Sequence, residues 1–484
     1  MKATVFGLGV EGKEAVKSLL KYGWDVYAHD SNLNIDLNEF KFDNLDDNLN
    51  NLEIDLGNLD QKKVDDSDAI LISPGLYNLD DFKIYRTDKY KSKLISNVLT
   101  KHKDIYTIAI TGTNGKTTTA TMLKDILSCG GKSVLIGGNA GGGFNGYLDL
   151  ILNAEYAYDS QNSYDTYENY NNYDYMIVEV CDMTIEFAND FFDIDLVGLT
   201  NIGNDHLNHH KSIENYKNTV KNVFKDKNIF LNSDDNFINE YKQFLNNNQI
   251  DLDKLHNYEY YDGNLNVLGK FNRYNASLAE SIAKYLNINE TTINISLKNF
   301  KSVEGRLNVF KSHYLNNELN DRKVNNEEFN NEEFNNEEDK LNDYFDVYIG
   351  KTDNSHAIKA ILDEKDFDIL FIGTPRDNET FRLDILNEIV LNHNFRYNTK
   401  DTNIILFNGL SDNFKPAINR LNEINYMGNV KIAKNIDEII NYVQEYRKSK
   451  NNFTNHKNKA IFIGGNGQEN IKKIQDIFND FSCN

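Results

Sequence analysis

Thr111-Gly112-Thr113-Asn114-Gly115-Lys116-Thr117-Thr118 is the stretch on which the reading of this chain turns. An apolar, partly β-branched run at 105–110 precedes it, and apolar residues at helical spacing follow over 117–127. A glycine-bearing turn between a strand and a helix, closed by Lys and Thr, is the setting of a phosphate loop. Glycines let backbone N–H groups approach phosphate oxygens, a lysine offsets their charge, and the hydroxyl after it can ligate Mg²⁺. Gly112, Thr113, Asn114, Gly115, Lys116, Thr117 and Thr118 are therefore the candidate nucleotide contacts, although Ile110 stands where the first glycine of G-x-x-x-x-G-K-[ST] would be.

Upstream, residues 3–6 form a short apolar run, Gly7-Leu8-Gly9-Val10-Glu11-Gly12 follows, and Ala15, Val16, Leu19 and Leu20 recur at helical spacing. A further strand at 24–28 ends near Asp30, which completes a βαβ opening. Read alone, G-x-G-x-x-G with Asp30 suggests a dinucleotide and a nicotinamide oxidoreductase. Downstream, strands are expected at 133–136, 176–180 and 195–199. Beyond Val303, strands at 368–372, 403–407 and 460–463 alternate with helical stretches such as 436–446. Such alternation implies mainly parallel sheets. Two segments lack periodicity: a Tyr/Asn/Asp-rich stretch at 155–173 and an acidic tract at 315–343 with a repeated Asn-Asn-Glu-Glu-Phe.

The whole chain of 484 residues suggests about three domains. A formal net charge of −22 disfavours coating a nucleic acid, though a helix N-terminus can still bind a small anion. Three cysteines, Cys129, Cys181 and Cys483, make no C-x-x-C pair, which fits a reducing, cytoplasmic setting. The opening lacks a signal-peptide pattern and no apolar run is long enough to span a membrane. The expected fold is α/β in three domains. These are a Rossmann-like N-terminal domain at 1–98, a central P-loop ATPase-type domain with a mostly parallel sheet at 99–302, and a Rossmann-like C-terminal domain at 303–484.

The particular loop T-G-T-N-G-K-T-T resembles that of the Mur ligase family, ATP-dependent enzymes that activate a carboxylate as an acyl phosphate. Five further motifs follow in the family's order. The strand-end Val178-Glu179-Val180 makes Glu179 the implied Mg²⁺ contact, and Thr200 to Asn208, with its Asp205-His206, makes His206 a second. Asn232-Ser233-Asp234-Asp235 matches the adenine side, and Gly269 to Asn275 brings Asn272 to the nucleotide. Gly305-Arg306 opens the last domain and implies Arg306 as a nucleotide and catalytic contact. The lysine whose carbamate bridges metals in many relatives falls on Val220, so Lys221 is the candidate through a one-residue shift, only if carbamylated. Lys351, in Gly350-Lys351-Thr352-Asp353, stands where the D-glutamate-adding branch has a catalytic lysine, with Ile349 in place of a ribose-binding Asp.

That branch also has a Rossmann-like opening that holds the substrate's anionic end, and a Ser-Pro-Gly like Ser73-Pro74-Gly75. Gly9, Val10, Glu11, Gly12 and Asn139 are accordingly the implied substrate contacts. The features at 7–12, 137–143, 179–183 and 350–353 are most similar to the methanogen ligases that close the last carbocycle of the nickel tetrapyrrole coenzyme F-430. The resemblance thus implies ATP and Mg²⁺, a small-molecule carboxylate with the nickel tetrapyrrole favoured, and a monomer or weak homodimer. It implies no nucleic acid or membrane partner. Amide ligation, as in D-glutamate addition to a muramoyl-alanine nucleotide, is the alternative.

Overall fold

The structure, a computed structural model, describes residues 1–41, 50–156, 173–203, 210–267, 269–311, 345–392, 402–450 and 460–480. Asp205, His206, Cys483, most of the 155–173 stretch and nearly all of the acidic tract lie outside the described residues. Among the described residues the chain forms three sheets. In the first, β1 (Lys2–Phe6), β2 (Asp25–Asp30), β3 (Leu52–Leu56) and β4 (Ala69–Ile72) run parallel in the order β3-β2-β1-β4. The helix Val10–Lys21 buries Ala15, Val16, Leu19 and Leu20, the stripe expected from their spacing. At Gly12 a Cβ would lie 1.8 Å from the carbonyl oxygen of Gly7, so only glycine lets this helix start so close to β1.

The second sheet contains β5 (Tyr106–Thr111), β6 (Val134–Gly138), β7 (Tyr175–Glu179), β8 (Ile194–Leu199), β9 (Asn228–Asn232) and β10 (Leu255–Tyr258). All are parallel, in the order β10-β9-β8-β5-β7-β6. β5 is central, and five of its six residues are buried, as a continuous apolar run in a doubly covered sheet should be. The chain crosses to β6 on one side of β5 and later returns to β8 on the other, which makes the carboxyl end of β5 a topological switch point.

The third sheet has β11 (Asn308–Lys311), β12 (Asp346–Lys351), β13 (Ile369–Gly373), β14 (Thr402–Phe407), β15 (Asn429–Ala433) and β16 (Ala460–Gly465), in the order β11-β12-β16-β13-β14-β15. Only the β11–β12 pair is antiparallel. Three of these six strands were expected from sequence. β15 escaped because, at the sheet edge, its residues alternate exposed and half-buried and carry little apolar signal.

The chain divides into two compact units. The first is Met1–Leu265 with Arg273–Phe300, and it contains the first two sheets. The second is Asn266–Asn272 with Lys301–Asn484. Within the first unit the helix Val10–Lys21 packs on the helix Tyr147–Tyr156. There Tyr22 Oη donates to Asn153 Oδ1 at 2.8 Å, Trp24 Nε1 donates to Tyr156 Oη at 2.9 Å, and the Tyr22 and Tyr156 rings stack. Among the described residues no helix is long and apolar enough to cross a membrane.

His102 is 1% exposed and meets the edge of Phe192. Burial, with a smaller contribution from Lys103, lowers its pKa to about 4. The unfolded chain therefore takes up a proton near pH 6.5 that the folded chain refuses until about pH 4. Stability should be intact above pH 6.5 and fall by on the order of 3 kcal/mol as pH drops to 4. Urea unfolding across that range checks this: His102→Phe should lack that part of the slope, and an unchanged slope would exclude His102 as its source.

Candidate active site

The loop after β5 is held from behind. Thr200 Oγ1 donates to the carbonyl of Asn114 at 2.6 Å, and the Asn201 amide donates to the same oxygen at 2.9 Å. Asn114 N–H donates to Asn201 Oδ1, Thr113 N–H to the Asn201 carbonyl, and Gly203 N–H to Thr113 Oγ1. Gly112, at φ 130°, lies where a Cβ would be 2.2 Å from Thr200 Oγ1, so the segment after β8 can approach only a glycine. Lys116 opens the helix Lys116–Cys129, and its ammonium donates to the carbonyls of Gly112 and Thr113 at 2.7 and 2.8 Å. Thr117 and Thr118 are buried in the first turn of that helix. The sequence predicted the loop but not its clasp, since Thr200-Asn201 is 87 residues from Asn114.

Beside it, β7 pairs with β5, and Glu179 is its last residue. Glu179 is 1% exposed. One oxygen, Oε1, accepts from Asn139 Nδ2 at 3.1 Å, while Oε2 is buried with no hydrogen-bond partner among the described residues. An orphaned carboxylate oxygen at a strand end next to a phosphate loop fits a hard cation such as Mg²⁺, which takes oxygen ligands. Thr117 would be the companion oxygen donor. Gly142 closes the other side: a Cβ there would lie 2.0 Å from Glu179 Oε1. Just past β7, Asp182 is 1% exposed, with Oδ2 3.4 Å from His210 Nε2, and the His210 ring stacks on Tyr216. Burial, then the charge of Asp182, pushes the neighbouring Cys181 thiol well up. No local pattern announces the Asp182–His210 pair, because its partners come from different loops.

Asn139 thus sits at Glu179. Glu11 is not free: Oε1 accepts from Ala140 N–H at 2.6 Å and Oε2 from Tyr147 N–H at 3.4 Å. Burial pushes its pKa up to about 7, against the pull of those two N–H groups. Gly9 and Val10 form an exposed edge above the buried Gly12. Asp30, the acid a dinucleotide would use, accepts from Leu8 N–H at 2.7 Å and Asn32 N–H at 2.8 Å. The ammonium of Lys221, the carbamate candidate, lies 3.7 Å from Glu214 and 3.6 Å from Glu240. The Asn232–Asp235 stretch makes a turn in which Asp234 Oδ2 accepts from Tyr274 Oη at 2.8 Å. Asn275 packs its amide against Gly115.

The second unit holds the remaining candidates. Asn272 is buried in the first turn of the helix Lys270–Tyr285. Gln475, 1% exposed, accepts from Gly305 N–H and donates to the carbonyls of Arg306 and Ile349, which seats the Gly-Arg turn against β12. Lys351 Nζ lies 3.1 Å from Asp353 Oδ2, and Arg382 Nη1 lies 2.7 Å from the same oxygen. Burial alone would raise the Asp353 pKa, but Lys351 and Arg382, with Arg306 adding less, hold it well below the usual carboxylate range. Ile349 is fully buried in the core and offers no ribose contact.

Gly142→Ala should displace the Glu179 carboxylate while leaving the sheet intact. The expected result is a loss of divalent-cation binding of about 10-fold or more, read by titration, with a small change in thermal midpoint. Unchanged cation binding would remove Glu179 from the site.

Residues 110–258 match the family described as Mur ligase middle domain. A UDP-N-acetylmuramoylalanine–D-glutamate ligase of Lachnospira eligens is 26% identical over 334 residues, covering 63% of this chain and 68% of that protein. Among solved structures, the UDP-N-acetylmuramate-alanine ligase of Thermotoga maritima aligns over 99% of both chains, with 14% identity and a TM-score of 0.52. The Mycobacterium tuberculosis folylpolyglutamate synthase complexed with ADP covers 79% of this chain and 93% of its own, with 13% identity and a TM-score of 0.54. The resemblance read from the motifs therefore stands: this chain carries a Mur ligase middle domain, set in the α/β fold that these ligase structures share.

Proposed function

We propose that the protein is an ATP-dependent ligase that activates a substrate carboxylate as an acyl phosphate and passes the acyl group to an amine. The observation that carries this reading is the clasped loop ending at Lys116 beside a buried Glu179 whose Oε2 has no partner. In the first step a carboxylate oxygen attacks the γ-phosphorus of ATP, and the bond to the β–γ bridging oxygen breaks to release ADP. In the second, the amine attacks the acyl carbon, gives up a proton, and the C–O bond to phosphate breaks. The amino-terminal end of the helix Lys116–Cys129 faces the phosphates, and Lys116 exchanges its carbonyl partners for phosphate oxygens. Thr117, Glu179 and, by family resemblance, His206 would hold Mg²⁺, which supplies charge neutralisation at the phosphates. Within the second unit, Arg306 and Lys351 are the candidate cationic groups, with Asp353 orienting Lys351.

Amide formation is the first reading because the sequence relative reported above is named as a D-glutamate ligase. Closure of a carbon ring on a nickel tetrapyrrole is the second reading. Its support is the glycine-rich 137–143 loop and the 179–183 segment, of which Asn139 and Gly142 contact Glu179. The protein with ATP and Mg²⁺ should release ADP and phosphate only when a carboxylate substrate is present. Product mass separates the two substrates: muramoyl-alanine nucleotide with D-glutamate gains a glutamyl residue, whereas the open-ring tetrapyrrole acid loses water. Lys116→Ala should lower turnover by at least about 10²-fold. Full activity in that variant would refute the site.

A further inference from the structure

We propose that Glu11 is a positioning residue for Glu179, acting across the first unit through the segment 139–147. The proposal rests on the reading of Glu179 as the cation ligand. Glu11 lies in the first turn of the helix Val10–Lys21, which belongs to the first sheet, whereas Glu179 ends β7 in the second. Its two oxygens accept from Ala140 N–H and Tyr147 N–H. Those groups bracket one loop: Ala140 opens the turn Ala140–Gly142, and Tyr147 opens the helix Tyr147–Tyr156. A single carboxylate thus fastens both ends of the segment.

What the segment carries explains the consequence. Asn139, next to the fastened Ala140, donates the hydrogen bond to Glu179 Oε1, and Gly142 presses on the same oxygen. At the other end, Tyr147 Oη accepts from Cys181 N–H at 3.1 Å and pairs with Thr184 Oγ1 at 2.7 Å, which ties the segment to the chain leaving Glu179. The Glu179 carboxylate is oriented by Asn139, and Asn139 is oriented by Glu11. Holding Oε1 aims Oε2 toward the cation. Removing the far member of such a relay loosens a metal site without touching it.

The test uses the full chain and Mn²⁺ as probe, with free Mn²⁺ read by electron spin resonance in the presence of ADP. Glu11→Ala should weaken Mn²⁺ binding on the order of 10-fold. Glu11→Asp, one methylene shorter with its charge kept, should weaken it similarly, and it decides the matter if Glu11→Ala does not fold. Glu11→Gln, which keeps one carbonyl oxygen for Ala140 N–H, should recover most of the affinity. Glu11→Ala combined with Asn139→Ala should bind no more weakly than Asn139→Ala alone, since the two act in series. Wild-type Mn²⁺ affinity in both Glu11→Ala and Glu11→Asp, or losses that multiply in the double variant, would overturn the proposal. Glu179→Gln is the control for the parent reading. If it leaves Mn²⁺ binding intact, the cation assignment itself fails, whereas a response there with none at Glu11 rejects the relay alone.

Discussion

The burial of the Glu179 carboxylate is the constraint around which the first unit is arranged. A charge with 1% exposure and one oxygen without a hydrogen bond among the described residues is costly, by roughly several kcal/mol. The surroundings lower that cost as far as protein groups can. Asn139 supplies a donor, Gly142 leaves room for the oxygen, and β5 and β6 hold the strand end on both sides. In the proposed function a hard cation would complete what the protein groups leave undone, by taking the bare oxygen as a ligand.

Next to it the loop after β5 meets a different demand. Its Lys116 ammonium satisfies the carbonyls of Gly112 and Thr113, but the Asn114 carbonyl takes its donors from elsewhere. Thr200 and Asn201, just past the carboxyl end of β8, donate twice to Asn114 O. Parallel pairing of β5 with β7 and β8 makes this possible, because it brings the three carboxyl ends to one edge. The second unit treats charge in the opposite way. Asp353 is enclosed by Lys351 and Arg382, so the carboxylate stays ionised and its cations are fixed in place.

The glycine-bearing loop between β5 and its helix, the βαβ opening, the α/β class and Glu179 at a strand end were all legible in the residues. Each is written in a contiguous stretch: an apolar run, a glycine turn, a helical stripe. β15 was not legible, because an edge strand needs little apolar surface. The neighbours of Lys221 were not legible, because spacing along a helix does not say which other helix it faces; Glu240 comes from the helix Phe237–Asn247 and pairs with it. The pairing of Asp182 with His210, and of Asp353 with Arg382, joins loops that are separate along the chain.

By itself, then, the amino-acid order determined the apolar strands, the striped helices and the glycine-bearing loop at 111–118, since those depend on local periodicity and on backbone freedom at glycine. Only the tertiary structure decided how that loop is braced, which oxygen of Glu179 is left bare, and that Glu11 faces Ala140 and Tyr147. Those are distances between residues far apart in the chain, set by how helices pack across sheets, and no one-dimensional pattern encodes them.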